Sequence, residues 1–164
     1  MTLSYPVPLT VAHGLNSFSC GEPALDEWLK RRALSNQDSG ASRTFVVVNG
    51  DRQVMGYYAL AAGAVNHEQA PRTVRQNMPD PVPVMVLARL AVDLRAQGIL
   101  LGAGLLKDAV ERCLFVAQNT GVRALLVHAI HDRARQFYAH HGFKSVPAHP
   151  MTLMLRIQLA PSTP

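Results

Sequence analysis

The stretch Val82–Leu106, VPVMVLARLAVDLRAQGILLGAGLL, decides the fold. Val84–Val92 is apolar almost throughout, which predicts a strand buried on both faces. Glycines at 98, 102 and 104 follow, and then a helical pattern. Leu105, Leu106, Ala109, Val110, Cys113, Leu114 and Ala117 share one broad face, so a helix is predicted from about Leu101 to Gln118. A strand feeding a helix through a tight turn leaves the first helical N–H groups free, and the helix dipole favours negative charge there. A phosphate-bearing ligand is therefore the first functional expectation. No Gly-Lys-Ser/Thr follows, and the glycines do not form Gly-x-Gly-x-x-Gly, so the turn alone fits an ordinary helix start equally well.

Upstream, Pro6, Pro8 and Gly14 mark residues 1–17 as an extended lead-in. Pro23 sets a helix start near Glu22, and Leu25, Trp28, Leu29 and Ala33 continue at helical spacing to about Gln37, with a stop at Gly40. Thr44–Val48 and Gln53–Ala62 read as strands joined by the hairpin turn Asn49-Gly50-Asp51. Pro71, Pro79, Pro81 and Pro83 make residues 65–83 a loop around a short helix near Arg72–Asn77. Downstream, Asn119-Thr120-Gly121 ends the long helix. Ala124–Ala129 is a further buried strand, Arg133–His141 a helix stopped by Gly142, and Phe143–Val146 with Met151–Ile157 a closing pair of strands. The expected order is β, α, β, β, β, α, β, α, β, β in one domain, 1–164, of the α/β (α+β) class, with no internal repeat or linker.

Composition narrows the class of molecule. Of the 164 residues, 48% are hydrophobic and 16% charged, which predicts a folded chain. The apolar runs, such as Phe45–Val48 and Leu100–Leu106, are too short to span a membrane, and the N-terminus predicts no secretory leader. The two cysteines, Cys20 and Cys113, argue against a disulfide scaffold and a cysteine zinc site, and favour a cytoplasmic protein. The net charge of +5 suits an acidic partner, nucleic acid or an anionic cofactor among them.

The candidate chemistry sits at two places. The first is the turn Ala96–Gly104. The second is Ala134-Arg135-Gln136-Phe137-Tyr138-Ala139-His140-His141-Gly142-Phe143, where a tyrosine near a helix end is by itself more readily a packing residue. The histidines lack the i, i+4 pairing with an acid that a zinc helix needs, so no metal is expected. Cys113 lies on the apolar helix face, and no serine sits in a Gly-x-Ser-x-Gly elbow. Arg89, inside an apolar strand, demands a partner or a cleft.

Together these features resemble the GNAT N-acetyltransferases. That family's Gln/Arg-x-x-Gly-x-Gly/Ala motif is matched by Gln97, Leu100 and Gly102, with Leu100 in place of glycine. Its late tyrosine followed by Gly-Phe is matched by Tyr138, Gly142 and Phe143, with His131 or Asp132 where asparagine is common. Phe18-Ser19-Cys20-Gly21, Leu25–Leu29, Arg32-Ala33, Asn36-Gln37, Gly40–Val46, Gly56–Leu60 and Val84–Asp93 are similar to the GNAT toxins of bacterial toxin–antitoxin pairs.

The resemblance implies a mixed sheet with a V-shaped splay, flanked by helices. It implies acetyl-CoA as co-substrate, held by Leu90, Ala91 and Val92 along the pantetheine and by Gln97, Gly98, Ile99, Leu100, Leu101, Gly102 and Ala103 at the pyrophosphate. It makes Tyr138 the general acid for the departing thiolate. Its acceptor is the α-amino group of aminoacyl-tRNA, whose acetylation blocks translation. Lys30, Arg31, Arg32, Arg43 and Arg89, with Arg72 and Arg75, are the candidate phosphate contacts. A ribbon-helix-helix antitoxin is the implied partner, with operator DNA reached only through it, and a homodimer is in keeping with related toxins. The alternatives that share the coenzyme residues are an acetyltransferase for small amines or protein N-termini, and a silent CoA-binding module.

Overall fold

A helix begins after Glu22 because Pro23 occupies its first turn, where a missing N–H costs nothing. The single helix expected from Glu22 to Gln37 is in fact two. Helix α1 (Pro23–Arg31) ends at Arg32, whose φ and ψ of −120° and −30° leave the helical region, and α2 (Ala33–Ser39) runs to Gly40. Gly40 closes α2 at φ 79°, a left-handed turn that suits glycine. With the kink at Arg32, Leu29 and Ala33 are both fully buried.

The computed structural model describes residues 1–159. The rest of the expected single domain, residues 160–164, lies outside the described residues. The remaining helices are α3 (Arg72–Arg75), α4 (Leu101–Ala117) and α5 (Asp132–His140). The strands are β1 (Val7–Pro8), β2 (Arg43–Val48), β3 (Val54–Val65), β4 (Val82–Val92), β5 (Ala124–His128), β6 (Lys144–Val146) and β7 (His149–Arg156). They form a sheet in the order β1-β2-β3-β4-β5-β7-β6. The expected strands and late helices are all present, with ends displaced by a few residues. Among the described helices, none is long and apolar enough to cross a membrane.

Two compact units emerge along the chain: Met1–Ala61 with Ala88–Ala109, and Ala62–Leu87 with the residues from Val110 onward. In the first, the β2–β3 hairpin turns at Asn49, whose Oδ1 accepts the N–H groups of Asp51 and Gln53 at 3.0 Å. Its core gathers Leu9, Phe18, Leu29, Ala33, Val46, Val54 and Tyr57. In the second, β5 and β7 pair antiparallel from Ala124↔Arg156 to His128↔Thr152. Its core joins Ala70, Val74, Val82, Val84, Leu126, Val146 and Met154. Arg123 ties α3 down there, donating from Nε to Val74 O at 3.0 Å and from a terminal nitrogen to Gln76 O at 3.1 Å.

Strand β4 departs from the expectation of burial on both faces. Val82, Val84, Leu87 and Ala91 are buried, while Met85, Val86, Ala88, Arg89, Leu90 and Val92 are only half-buried. For Ala88, Arg89, Leu90 and Val92 the extent of the parallel ladder to β5 accounts for this. It pairs Val84 with Ala124 through Leu87 with Val127 and goes no further, so the strand continues past Leu87 without that neighbour. A parallel pair that ends inside a strand leaves main-chain N–H and C=O groups beyond it for other partners.

Candidate active site

The first unit holds the glycine turn. At the end of β4, Asp93 is buried and accepts four hydrogen bonds: from Ser19 N at 3.0 Å, Arg95 N at 2.8 Å, Arg95 Nε at 2.8 Å and an Arg95 terminal nitrogen at 3.0 Å. Burial pushes its carboxyl up, but the Arg95 guanidinium and the two N–H donors outweigh this and hold it below the ordinary value. Its own N–H donates to Met55 O at 2.8 Å, and Leu94 N to Ser19 O at 2.9 Å. The Asp93 carboxylate thus ties the strand end to the Ser19 segment and Arg95, while its main-chain N–H ties it to β3.

The turn itself is pinned by Gln97, whose Nε2 donates to Val92 O at 3.0 Å and to Cys20 O at 3.2 Å. Two residues then take left-handed backbone, Gly98 at φ 83° and Leu100 at φ 63°. A leucine there costs roughly 1–2 kcal/mol that glycine avoids. Its side chain is 83% exposed. Leu100 thus stands in a left-handed backbone conformation that favours glycine. The first helical bond is Gly104 N to Leu100 O at 3.1 Å. The N–H groups of Leu101, Gly102 and Ala103 have no acceptor among the described residues, an arrangement suited to an anion.

Gly56 on β3 sets the approach of α4. A Cβ there would lie 3.0 Å from Leu105 Cδ1 and 3.1 Å from Leu101 Cδ2, so any larger residue would make these leucines give by a few tenths of an ångström.

Arg89 finds its partner in Trp28. Its Cζ lies 5.1 Å from the Trp28 ring centroid, a cation–π contact worth about 0.5–2 kcal/mol. The Trp28 ring stacks on Tyr57 at 6.0 Å and 8°. Tyr57 OH donates to Leu25 O at 2.7 Å. The other candidate cations of this unit are exposed: Lys30 and Arg31 in the last turn of α1, and Arg32 and Arg43. Arg31 pairs with Glu27 at 2.7 Å in the open, which adds little to stability. Arg43 donates to Gln37 O at 2.7 Å.

The second unit holds Tyr138, on α5. His131 caps this helix, its Nδ1 accepting Ala134 N at 3.0 Å. The Tyr138 ring is buried, packed 5.2 Å from Phe137 and 5.5 Å from Phe143. Burial raises its phenol well above the ordinary range, so the proton stays on oxygen. Tyr57 OH is bonded to Leu25 O and Tyr58 OH to Asp108, but Tyr138 OH makes no hydrogen bond among the described residues. Of the buried tyrosines it alone has a hydroxyl that bonds to no described residue. Arg72 and Arg75 lie on α3; Arg75 donates to His67 O at 3.3 Å and to Ala70 O at 3.4 Å, which ties it to its own loop.

Both cysteines are buried free thiols, pushed up by burial to about 12 for Cys20 and about 11 for Cys113, and so poor nucleophiles. Trp28, Gly56, Asp93 and His131 entered the functional reading of the sequence only through the family resemblance, and Arg95 not at all, though all five support these sites. Only Asp93 carried a usable signal, an acid directly after a strand and two residues before an arginine.

The sheet order, the anion turn after β4 and the tyrosine helix after β5 define an N-acetyltransferase of the GNAT class. A curated tRNA-acetylating toxin of Mycobacterium tuberculosis is 53% identical over 152 residues, 93% of this chain and 91% of its own length. The chain belongs to that family, the tRNA-acetylating toxins. Among solved structures, AtaT complexed with acetyl-methionyl-tRNAfMet has a TM-score of 0.87 at 26% identity, covering 94% of this chain and 95% of its own. A Tyr-to-Phe variant of AtaT, bound to the C-terminus of the antitoxin AtaR and to acetyl-CoA, has a TM-score of 0.81 at 27% identity, over 94% and 92%. No model of a known protein family matches the chain.

Proposed function

We propose that this chain transfers the acetyl group of acetyl-CoA to the α-amino group of an aminoacyl-tRNA and thereby blocks translation. The 53% identity to a tRNA-acetylating toxin over 93% of the chain carries this reading. The AtaT complexes with acetyl-methionyl-tRNA and with acetyl-CoA support both the acceptor and the donor.

In this reading the Gln97–Ala103 turn seats the pyrophosphate on the N–H groups of Leu101, Gly102 and Ala103. The main chain of Leu90, Ala91 and Val92 takes the pantetheine arm, and an N–H there polarises the thioester carbonyl. The amine attacks that carbonyl, a C–N bond forms, the C–S bond breaks, Tyr138 gives its proton to the departing sulfur, and the proton lost by the nitrogen passes through water to restore the phenol. Burial keeps the phenol protonated, and its proton moves only as negative charge develops on sulfur. An α-amino group beside an ester is less basic than a lysine side chain, so enough of it is neutral near pH 7 for placement alone to carry the attack. The exposed cations Lys30, Arg31, Arg32 and Arg43, together with Arg89, meet the tRNA phosphates.

The chain acts as one GNAT domain in the cytoplasm, as a homodimer, held inactive by a ribbon-helix-helix antitoxin through which the pair reaches operator DNA. The AtaT–AtaR complex supports an antitoxin partner. The test is incubation with acetyl-CoA and a mixed pool of charged tRNAs, followed by identification of the acetylated amino acids. Acetyl groups on α-amines, with one thiol released per transfer, are expected; an unmodified pool would refute the reading.

A further inference from the structure

Arg89 is a cation held half-buried without an anion. It forms no ion pair among the described residues, where arginines 31, 95 and 135 each have an acid. Burying a guanidinium from water is unfavourable unless something compensates it. Here the compensation is partial: the face of Trp28, and one hydrogen bond from Nη1 to Ala88 O at 2.7 Å. The remaining N–H groups of the fork have no acceptor among the described residues. The fork is also fixed in place, because Trp28 is stacked on Tyr57 and Tyr57 is hydrogen-bonded to Leu25 of the same helix. A preorganised planar fork with open donors matches phosphate geometry.

Its neighbourhood says which phosphate. Helix α1, which supplies Trp28, ends in the exposed cations Lys30 and Arg31, with Arg32 at its cap. Positive charge thus runs from an open helix end to a partly desolvated arginine. Arg89 also stands one to three residues before Leu90–Val92, about 3–10 Å along the strand at about 3.3 Å per residue. Those residues are the ones assigned to the thioester. The anion nearest the reacting ester of an aminoacyl-tRNA is the phosphodiester of its terminal nucleotide.

We propose that Arg89, locked on Trp28, grips the phosphodiester that joins the terminal adenosine of the acceptor to the preceding nucleotide, while Lys30–Arg32 meet phosphates farther from the end. This rests on the aminoacyl-tRNA reading above. It makes Arg89 a substrate-positioning residue rather than one more member of a diffuse basic face.

The experiment compares three acceptors: charged tRNA, an aminoacylated CCA trinucleotide, and 3′-O-aminoacyl-adenosine, which lacks the phosphodiester. In Arg89→Gln, the ratio of KM for aminoacyl-CCA to KM for aminoacyl-adenosine is expected to rise about tenfold over the parent. The salt slope of KM for charged tRNA should fall by about 0.7, one single-strand phosphate. Arg89→Lys, which keeps the charge without the fork, should lie between, and gives the same readout if the glutamine variant does not fold. An equal loss on all three acceptors, an unchanged ratio, or a weakened acetyl-CoA Kd in place of an acceptor effect would overturn the proposal. A parent enzyme inactive on every acceptor would instead overturn the aminoacyl-tRNA reading itself.

Discussion

The carbonyl of Leu100 accepts the first helical hydrogen bond of α4, from Gly104 N at 3.1 Å, while Leu100 itself sits at φ 63°. The residue that opens the helix is therefore one that an L side chain occupies at a cost. Leu100→Gly removes that strain and gives back part of it as unfolded-state entropy, for a net gain of about 0.5–1 kcal/mol. The melting temperature should rise by about 2 °C in thermal unfolding. A β-branched residue is worse placed, so Leu100→Val should melt below the parent.

The close approach at Gly56 predicts a coenzyme defect made from outside the turn. Gly56→Val drives a side chain into Leu101 and Leu105, at the first turn of α4. Overpacking of this kind costs about 1–3 kcal/mol. The acetyl-CoA Kd, by calorimetry, should rise severalfold, since the free N–H groups belong to that same turn. Gly104→Ala is the contrasting case: nothing lies within 4 Å of its Cβ, and it should stabilise the helix by about 1 kcal/mol.

Asp93 predicts an acid limb in stability. Its folded-state pKa is lowered, so its contribution is present above the unfolded value, near 4, and is lost as pH falls through the folded one. Denaturant unfolding should show stability dropping below about pH 4. Asp93→Asn should weaken that dependence and cost about 2 kcal/mol at neutral pH, through lost hydrogen bonds to a charged group.

Element order, the glycine turn and the Tyr138 helix were legible because each rests on local signals: apolar period, Pro23, Asn49-Gly50 and the glycines at 40 and 142. Other features depend on partners distant in sequence. The break at Arg32 has no proline or glycine to mark it, and it lets Leu29 and Ala33 both bury. An apolar run could not reveal that the β4–β5 ladder stops at Leu87. The demand of Arg89 for a partner was visible, but the partner, Trp28, arrives from another element. Leu100 stood out as a departure from a motif; that the backbone keeps φ 63° around it is a matter of geometry, not of letters.

Tyr138 is the proposed acid for the departing thiolate. Its ring packs against Phe137 and Phe143 and its hydroxyl bonds to no described residue, so Tyr138→Phe should keep the fold and the acetyl-CoA Kd. The deciding measurement is the single-turnover rate of acetyl transfer to charged tRNA by Tyr138→Phe, with acetyl-CoA saturating. A fall of about 10²–10⁴-fold is predicted. Transfer at the parent rate would contradict it.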